Sequence, residues 1–116
     1  MRKKYNKYHN KKTAIDGITF DSLKEGRRYT ELKQLQTEGF IKEFACQPVF
    51  VLQEGYRRSD GKAIRPIKYI ADFLVVYPDG SIEYEDVKSP ATAADKVFLI
   101  KRKLLESKYK LILRIV

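Results

Sequence analysis

The chain has 116 residues and a net charge of +9, with 24 lysines and arginines against 15 aspartates and glutamates. This length is sufficient for one domain and too short for two. Its only cysteine, Cys46, excludes an intramolecular disulfide, and no apolar stretch approaches the roughly 20 residues of a membrane span. Because the lysine-rich start also lacks the apolar core of a signal peptide, we expect a soluble, cytoplasmic protein.

Residues 1–12 predict a flexible basic arm in front of a single domain over residues 13–116. The segment MRKKYNKYHNKK contains six basic residues and no acid. Such an arm either lies along a nucleic-acid backbone, with Tyr5 and Tyr8 available for stacking, or serves only as a solubilising terminus. The residues of this arm that we assign to DNA binding are Lys3, Lys4, Lys7, Lys11 and Lys12.

A helix is predicted from Ser22 to Glu38, after a short hairpin around Asp16-Gly17. Ser22 is the expected N-cap, and Gly39 lies just past the C-terminus of the helix. Glu25 then occupies the third helical position, where its side chain either completes a capping box with Ser22 or reaches a metal site from the helix start. One face of the segment is apolar or aromatic, with Leu23, Tyr29, Leu32 and Leu35.

Two strands are predicted next, near Ile41–Phe44 and Val49–Gln53, followed by a polar loop that ends at Ile67. Gln47 is most simply a residue that begins a strand beside Pro48, and an accessory polar group of a site is the alternative. The polar loop carries a second basic cluster, which either contacts DNA or only connects strands. This cluster consists of Arg57, Arg58, Lys62 and Arg65.

The runs IKYIADFLVVY (67–77) and SIEYEDVK (81–88) predict a β-hairpin around Pro78-Asp79-Gly80. Proline suits the second position of a type I turn and glycine accepts the left-handed conformation, which together give a three-residue loop. This loop pairs Tyr77 with Ser81. A two-residue loop would shift the register by one residue and bring Glu85 to the place of Asp86.

In the three-residue register, Asp72 faces Asp86 and Ile70 faces Lys88. Directly opposed side chains share one face of a sheet, so Asp72, Asp86 and Lys88 converge. Glu83, Glu85 and Val87 then point to the other face.

Two facing carboxylates repel each other, and a divalent cation between them would relieve the repulsion. Carboxylate oxygens suit Mg²⁺ or Mn²⁺, with the Val87 carbonyl as a further ligand. In phosphodiester hydrolysis Lys88 would hold a water molecule or the developing oxyanion. The alternative is a solvated strand edge, but Asp72 lies within the apolar run IADFLVV, where an unpaired carboxylate is costly.

The last predicted elements are a helix from Thr92 to Lys108 and a strand from Lys110 to Ile115. A strand, a helix and another strand in this order predict a right-handed crossover to a parallel strand. We therefore expect an α/β fold with a mixed central β-sheet flanked by helices on both faces. The apolar face expected for the helix consists of Val97, Ile100, Leu104 and Leu105.

The order of these motifs resembles the PD-(D/E)xK nuclease superfamily, which includes restriction endonucleases and Holliday-junction resolvases. More narrowly, the stretches KYHNKKTAIDGITFDSLKEGRRYTELKQLQTEGFI, QPVFVLQ and YIADFLVVYPDGSIEYEDVKS resemble small nuclease-like phage and prophage proteins, over about Lys7 to Tyr109. The resemblance implies a restriction-endonuclease-like core. Ala71 stands where the proline of the superfamily name would be, as it does in many members.

The resemblance also implies the roles of the site residues. Glu25, Asp72 and Asp86 would be metal ligands, and Lys88 the catalytic lysine. The implied activity is that of a Mg²⁺-dependent (or Mn²⁺-dependent) endodeoxyribonuclease in phage DNA processing, similar to Holliday-junction resolvases and acting as a homodimer. The alternative is a non-catalytic DNA-binding accessory protein with the same fold.

Overall fold

The computed structural model describes residues 11–116. Within them, ten short strands and three helices follow one another along the chain. The strands are β1 (Thr13–Ile15), β2 (Ile18–Phe20), β3 (Glu43–Cys46), β4 (Val49–Gln53), β5 (Tyr56–Arg57), β6 (Ala63–Ile64), β7 (Ile67–Ile70), β8 (Phe73–Val76), β9 (Ile82–Asp86) and β10 (Leu113–Ile115). The helices are α1 (Leu23–Thr37), α2 (Pro90–Ala93) and α3 (Lys96–Tyr109).

A four-stranded mixed sheet in the order β10-β9-β8-β3 forms the centre of the fold. Strand β8 is antiparallel to both β3 and β9, whereas β10 runs parallel to β9, as the sequence predicted. Three two-stranded pairs surround this sheet, namely β1–β2, β4–β7 and β5–β6. The predicted α/β class is therefore confirmed.

Helices α1 and α3 cover opposite faces of the sheet. Tyr29 and Leu32 of α1 pack with Phe73 and Val75 of β8 in one hydrophobic cluster. A second cluster contains Phe98 and Leu105 of α3 together with Leu113 of β10 and the partly buried Tyr84 of β9. Leu74 lies between Phe73 and Val75 on β8, so its side chain points to the opposite face of the sheet. Tyr84 pairs with Leu74 and shares its face, which places the two clusters on opposite sides of the sheet.

The predicted register of the β8–β9 hairpin is confirmed. The Tyr77 amide donates to the Ser81 carbonyl over 2.9 Å, and Gly80 has a φ of +87°. Leu74 pairs with Tyr84, which matches the three-residue loop. The turn chemistry thus fixes which side chains face each other at the other end of the hairpin.

The predicted single strand from Ile67 to Tyr77 is in fact two strands, and the expected facing of Ile70 and Lys88 is wrong. Ile70, at the end of β7, pairs with Val49 of β4. The Ala71 amide donates to the Pro48 carbonyl, whereas the next amide, that of Asp72, donates to the Glu85 carbonyl. The chain therefore changes its strand partner between Ala71 and Asp72.

Helix α1 has the predicted boundaries. Ser22 is its N-cap, and the Ser22 hydroxyl accepts a hydrogen bond from the Glu25 amide over 3.1 Å. Gly39 follows the helix with a φ of +82°. The next strand, β3, begins two residues later than predicted. Ile41 lies before the strand, and its side chain is buried in the hydrophobic cluster beneath α1.

The second predicted helix starts later than expected, because two caps divide the segment. Ser89 caps the four-residue helix α2, and Asp95 caps α3, accepting from the Phe98 amide over 3.1 Å.

The predicted apolar face of α3 is also wrong for three of its four residues. Val97, Ile100 and Leu104 are 60%, 60% and 47% exposed, and only Leu105 of that set is buried, together with Phe98. Arg102 lies on the buried side as well, where its guanidinium donates to the Leu113 carbonyl. The helix thus has two apolar stripes, one with Val97, Ile100 and Leu104 and one with Phe98 and Leu105. The stripe with Phe98 and Leu105 faces the sheet, and Arg102 on the same side bonds to β10.

Gly26 allows α1 to lie against the β1–β2 hairpin. A Cβ atom at this position would lie 2.7 Å from Thr13 Cγ2 and 3.1 Å from Ile15 Cδ1. Alanine favours a helix by about 1 kcal/mol over glycine. We nevertheless expect Gly26→Ala to lower the free energy of unfolding by about 1–2 kcal/mol, because overpacking exceeds this gain.

Urea denaturation of Gly26→Ala beside Thr30→Ala, an exposed position one turn further along α1, would measure this effect. Unchanged or increased stability of Gly26→Ala would mean that the hairpin can move away freely.

Candidate active site

The predicted acidic residues meet in a cleft of about 490 Å³ at the N-terminal end of α1. Glu25 lines the cleft from the helix, Asp72 lines it from the position just before β8, and Val87 and Lys88 line it from the segment just after β9. Asp86 is fully buried behind this wall. The acidic residues and the lysine predicted from the sequence thus lie together in the fold.

Glu25 directs its carboxylate towards Asp72, with which it is in hydrogen-bonding contact. Only its backbone amide takes part in the cap with Ser22. Burial raises the pKa of Glu25 to about 7, and the negative charges of Asp72, Asp21 and Asp86 contribute to this shift. The cap and the cleft thus use different atoms of the same residue.

Asp72 and Asp86 are each held by the backbone of the opposite strand. The Val87 amide donates to Asp72 Oδ2 over 2.7 Å, and the Asp72 amide donates to Asp86 Oδ1 over 2.8 Å. Burial is the main cause that raises the pKa of both carboxyl groups, and the nearby Lys88 ammonium opposes it. The convergence of these residues agrees with the predicted register.

Tyr69 is a residue of the site that the sequence analysis missed. Its hydroxyl donates to Asp86 Oδ2, the oxygen that also lies 3.9 Å from Lys88 Nζ. Tyr69 belongs to β7, which leaves the hairpin, so the predicted register could not place it near Asp86. Asp21 was missed as well, although its spacing of four residues from Glu25 at a helix start indicated a common location.

Lys88 is fixed through both its backbone and its side chain. Its amide donates to the Val116 carbonyl over 3.3 Å, and its carbonyl accepts from Lys24 Nζ over 2.8 Å. Its ammonium lies 4.7 Å from the centroid of the Phe98 ring, close enough for a cation–π interaction. The ammonium is therefore positioned between Asp86 and the cleft.

The acidic residues of the cleft have the chemistry of a magnesium site. Mg²⁺ and Mn²⁺ prefer oxygen ligands, and Mg²⁺ usually takes only one or two protein carboxylates and several waters. Glu25 and Asp72 supply such a pair in direct contact, and Asp86 lies behind them. Among residues 11–116, no three acidic, histidine or cysteine side chains are already grouped as a metal cage.

The predicted DNA-binding residues lie in different places. Lys11 lines the cleft, and Lys12 beside it is exposed, whereas Lys3, Lys4 and Lys7 lie outside the described residues, as do Tyr5 and Tyr8. The second basic cluster lies on the exposed β5–β6 hairpin, which the sequence analysis took for a loop, and these residues are absent from the lining of the cleft. Its members are Arg57, Arg58, Lys62 and Arg65.

Gln47 contributes to the site through its backbone. It has a φ of +57°, and its amide donates to the Asp72 carbonyl over 2.9 Å. The side chain of Gln47 is exposed. This contact supports Asp72 at the point where the chain changes from β7 to β8.

The fold and the cleft define a class, that of small mixed α/β proteins with a buried acidic cluster and a lysine at the end of a central hairpin. The chain belongs to the family described as "Protein of unknown function (DUF1064)", whose sequence profile matches residues 5–115. Neither the curated proteins nor the solved structures contained a match. No helix in the described part of the chain has the length and apolar character to cross a membrane.

The raised pKa of Glu25 predicts how the stability of the metal-free protein depends on pH. Because Glu25 keeps its proton up to about pH 7 in the folded state, against 4.5 ordinarily, the folded protein binds more protons than the unfolded chain between these values. Stability should therefore fall as the pH rises from about 4.5 to about 7, by about 1–2 kcal/mol for this group once solvent screening is included.

Urea unfolding in EDTA between pH 4.5 and 8 would test this prediction. Glu25→Gln should remove much of the decline and be more stable than the wild type at pH 8, whereas Glu43→Gln, an exposed control, should follow the wild type. Parallel curves for Glu25→Gln and the wild type would contradict the prediction.

Proposed function

We propose that this protein is a Mg²⁺- or Mn²⁺-dependent endodeoxyribonuclease. The observation that supports the proposal most is the contact between Glu25 and Asp72 in a cleft that Lys88 also lines. Asp86 lies directly behind this pair, and the pKa of all three carboxyl groups is raised. Such a cluster is unfavourable when every carboxylate is ionised, and a divalent cation would stabilise it.

The residues of the cleft would divide the work of phosphodiester hydrolysis. Glu25, Asp72 and Asp86 would hold the metal ion, together with the Val87 carbonyl. A bound Mg²⁺ or Mn²⁺ ion would polarise the phosphoryl group and acidify a water molecule. Lys88 would donate a hydrogen bond to the attacking water or to the developing oxyanion.

The substrate that we propose is branched DNA, and the reaction is Holliday-junction resolution in phage DNA processing. Two strands of a junction must be cut, so we propose that the protein acts as a homodimer. We place this activity in the cytoplasm of a bacterium that carries the phage or prophage. These proposals rest on the resemblance to small resolvases, which is an argument by analogy.

A non-catalytic DNA-binding accessory protein is the second candidate. It is favoured by the hydrogen bonds of Asp86, because one oxygen accepts from the Asp72 amide and the other from the Tyr69 hydroxyl. In that case the buried carboxylate would serve to join β7 to β9. For the nuclease, the Tyr69 hydroxyl would share Asp86 Oδ2 with the metal or rotate away.

Cleavage of labelled DNAs in Mg²⁺, Mn²⁺ or EDTA would test the proposal. The panel consists of a linear duplex, a single strand, a flap and a four-way junction, and compares the wild type with Asp86→Ala. Asp79→Ala is a matched control at the opposite end of the same hairpin. Metal-dependent cutting that only Asp86→Ala abolishes would support the nuclease, whereas binding without cutting in either metal would leave the accessory protein.

A further inference from the structure

A second cavity, of about 410 Å³, lies beside the candidate active site between α1 and β10. Lys24, Arg27, Arg28 and Glu31 line it from α1, and Arg114 lines it from β10. The other three helix residues follow Lys24 by three, four and seven positions, which places all four on one face of the helix. The side chains of this wall therefore include four cations and one carboxylate, and Val116 lines the cavity as well.

Two of the four cations are neutralised by ion pairs. Arg28 binds both oxygens of the buried Glu85 carboxylate and also pairs with Glu31. Arg114 pairs with Glu83 over 2.9 Å. These two arginines have a structural role, and their charge contributes little to the binding of an external anion.

In the part of the chain that the structure describes, the charges of the other two cations, Lys24 and Arg27, are not neutralised by an ion pair. The Lys24 ammonium donates to the neutral Lys88 carbonyl, and neither residue forms an ion pair within residues 11–116. Both side chains belong to exposed residues. An ammonium and a guanidinium one helical turn apart are suited to bind phosphate oxygens.

The second cavity adjoins the candidate active site. Lys24 and Val87 line both of them. A nucleic-acid strand with one phosphate at the Glu25–Asp72 pair would therefore reach the second cavity with a neighbouring phosphate. The apolar side chains of Val87 and Ile115 line the second cavity and suit the less polar sugar.

We propose that this second cavity binds the DNA phosphate next to the one held at the cleft, through Lys24 and Arg27. The inference rests on the proposed function for the location of the cleaved phosphate. It assigns two residues to substrate positioning that lie outside both basic clusters predicted from the sequence.

Equilibrium binding of a labelled four-way junction and a labelled linear duplex, in EDTA and at a series of salt concentrations, would test this assignment. The test variant is Lys24→Ala/Arg27→Ala. The matched control is Lys96→Ala/Lys103→Ala, which removes the same charge from exposed positions of α3, on the opposite face of the sheet. Thermal unfolding of both variants checks that each is folded.

We expect the test variant to bind at least about ten-fold more weakly and to reduce the magnitude of the slope of log K against log salt by about 1, as for the loss of one phosphate contact, with a clearly smaller change in the control. Equal losses in both variants would overturn the assignment, and wild-type cleavage in Mg²⁺ would then leave the nuclease proposal intact. Selective loss of binding in a protein that cuts no DNA would support the cavity and overturn the nuclease. A wild type that binds neither DNA would overturn both.

Discussion

Asp72→Asn is expected to lower the rate of metal-dependent DNA cleavage on the order of a thousand-fold without unfolding the protein. Asparagine has the shape of aspartate, and its carbonyl oxygen can still accept from the Val87 amide. It lacks the negative charge that would bind the metal ion beside Glu25. Because repulsion from Glu25 also disappears, the metal-free variant should be more stable than the wild type at pH 8.

Single-turnover cleavage and urea unfolding, each with and without Mg²⁺, would measure both effects. Asp79→Asn, in the turn of the same hairpin, is the matched control for cleavage and should leave its rate unchanged. Full cleavage by Asp72→Asn would place the reaction outside this cleft. Lost cleavage together with a large drop in stability would mean that the carboxylate serves the fold.

The second large effect is expected from Arg28→Met, which should lower the free energy of unfolding by about 3–5 kcal/mol. Glu85 is completely buried, and Arg28 donates to both of its oxygens, over 2.5 Å from Nε and 2.9 Å from Nη2. Methionine leaves this carboxylate buried without a partner. Urea denaturation at pH 7 would measure the loss.

A double variant separates the contribution of the ion pair to stability from that of the volume that its two side chains fill. Arg28→Met/Glu85→Leu should regain most of the lost stability, because apolar replacements of a buried ion pair are often close to neutral. Arg114→Met, which breaks the more exposed pair with Glu83, should change stability by less than about 1 kcal/mol. Equal losses in Arg28→Met and Arg114→Met would show that Glu85 gains solvent when Arg28 is removed.

The sequence predicted the β8–β9 hairpin well because a short turn determines its register. Pro78-Asp79-Gly80 permits few conformations, and the alternation of side chains then extends from the turn to Asp72 and Asp86. The N-cap and the C-terminus of α1 were predicted for a similar reason, since Ser22 and Gly39 act locally. That Asp72 and Asp86 meet is thus a consequence of interactions close in sequence.

The incorrect predictions concern choices between distant partners. The apolar run from Ile67 to Tyr77 is compatible with one long strand or with two short ones, and the pairing of its first part with β4 is what divides it. On α3, the stripe that contains Val97 and the stripe that contains Phe98 are both apolar. Which of them faces the sheet depends on residues far away in the sequence, so helical periodicity could not decide it.

The contacts that support the site were predicted less well than its acidic residues. The bond from Tyr69 to Asp86 depends on β7 leaving the hairpin, and the ion pair of Arg28 with Glu85 joins a helix to a strand 57 residues later. Acidic residues in an apolar strand are conspicuous in a sequence. Their uncharged or oppositely charged partners are ordinary residues until the tertiary structure is known.

The parallel pairing of β10 with β9 has a consequence for the order of folding. Val116 accepts from the Lys88 amide and donates to the Asp86 carbonyl, so the segment that carries the lysine is completed by a strand that lies beyond α3. Pairings between segments far apart in sequence form late, because a long loop must close first. In a nuclease built in this way, a partly folded molecule whose β10 has not yet paired with β9 would lack the backbone contact that holds Lys88, and it would leave the DNA around it uncut.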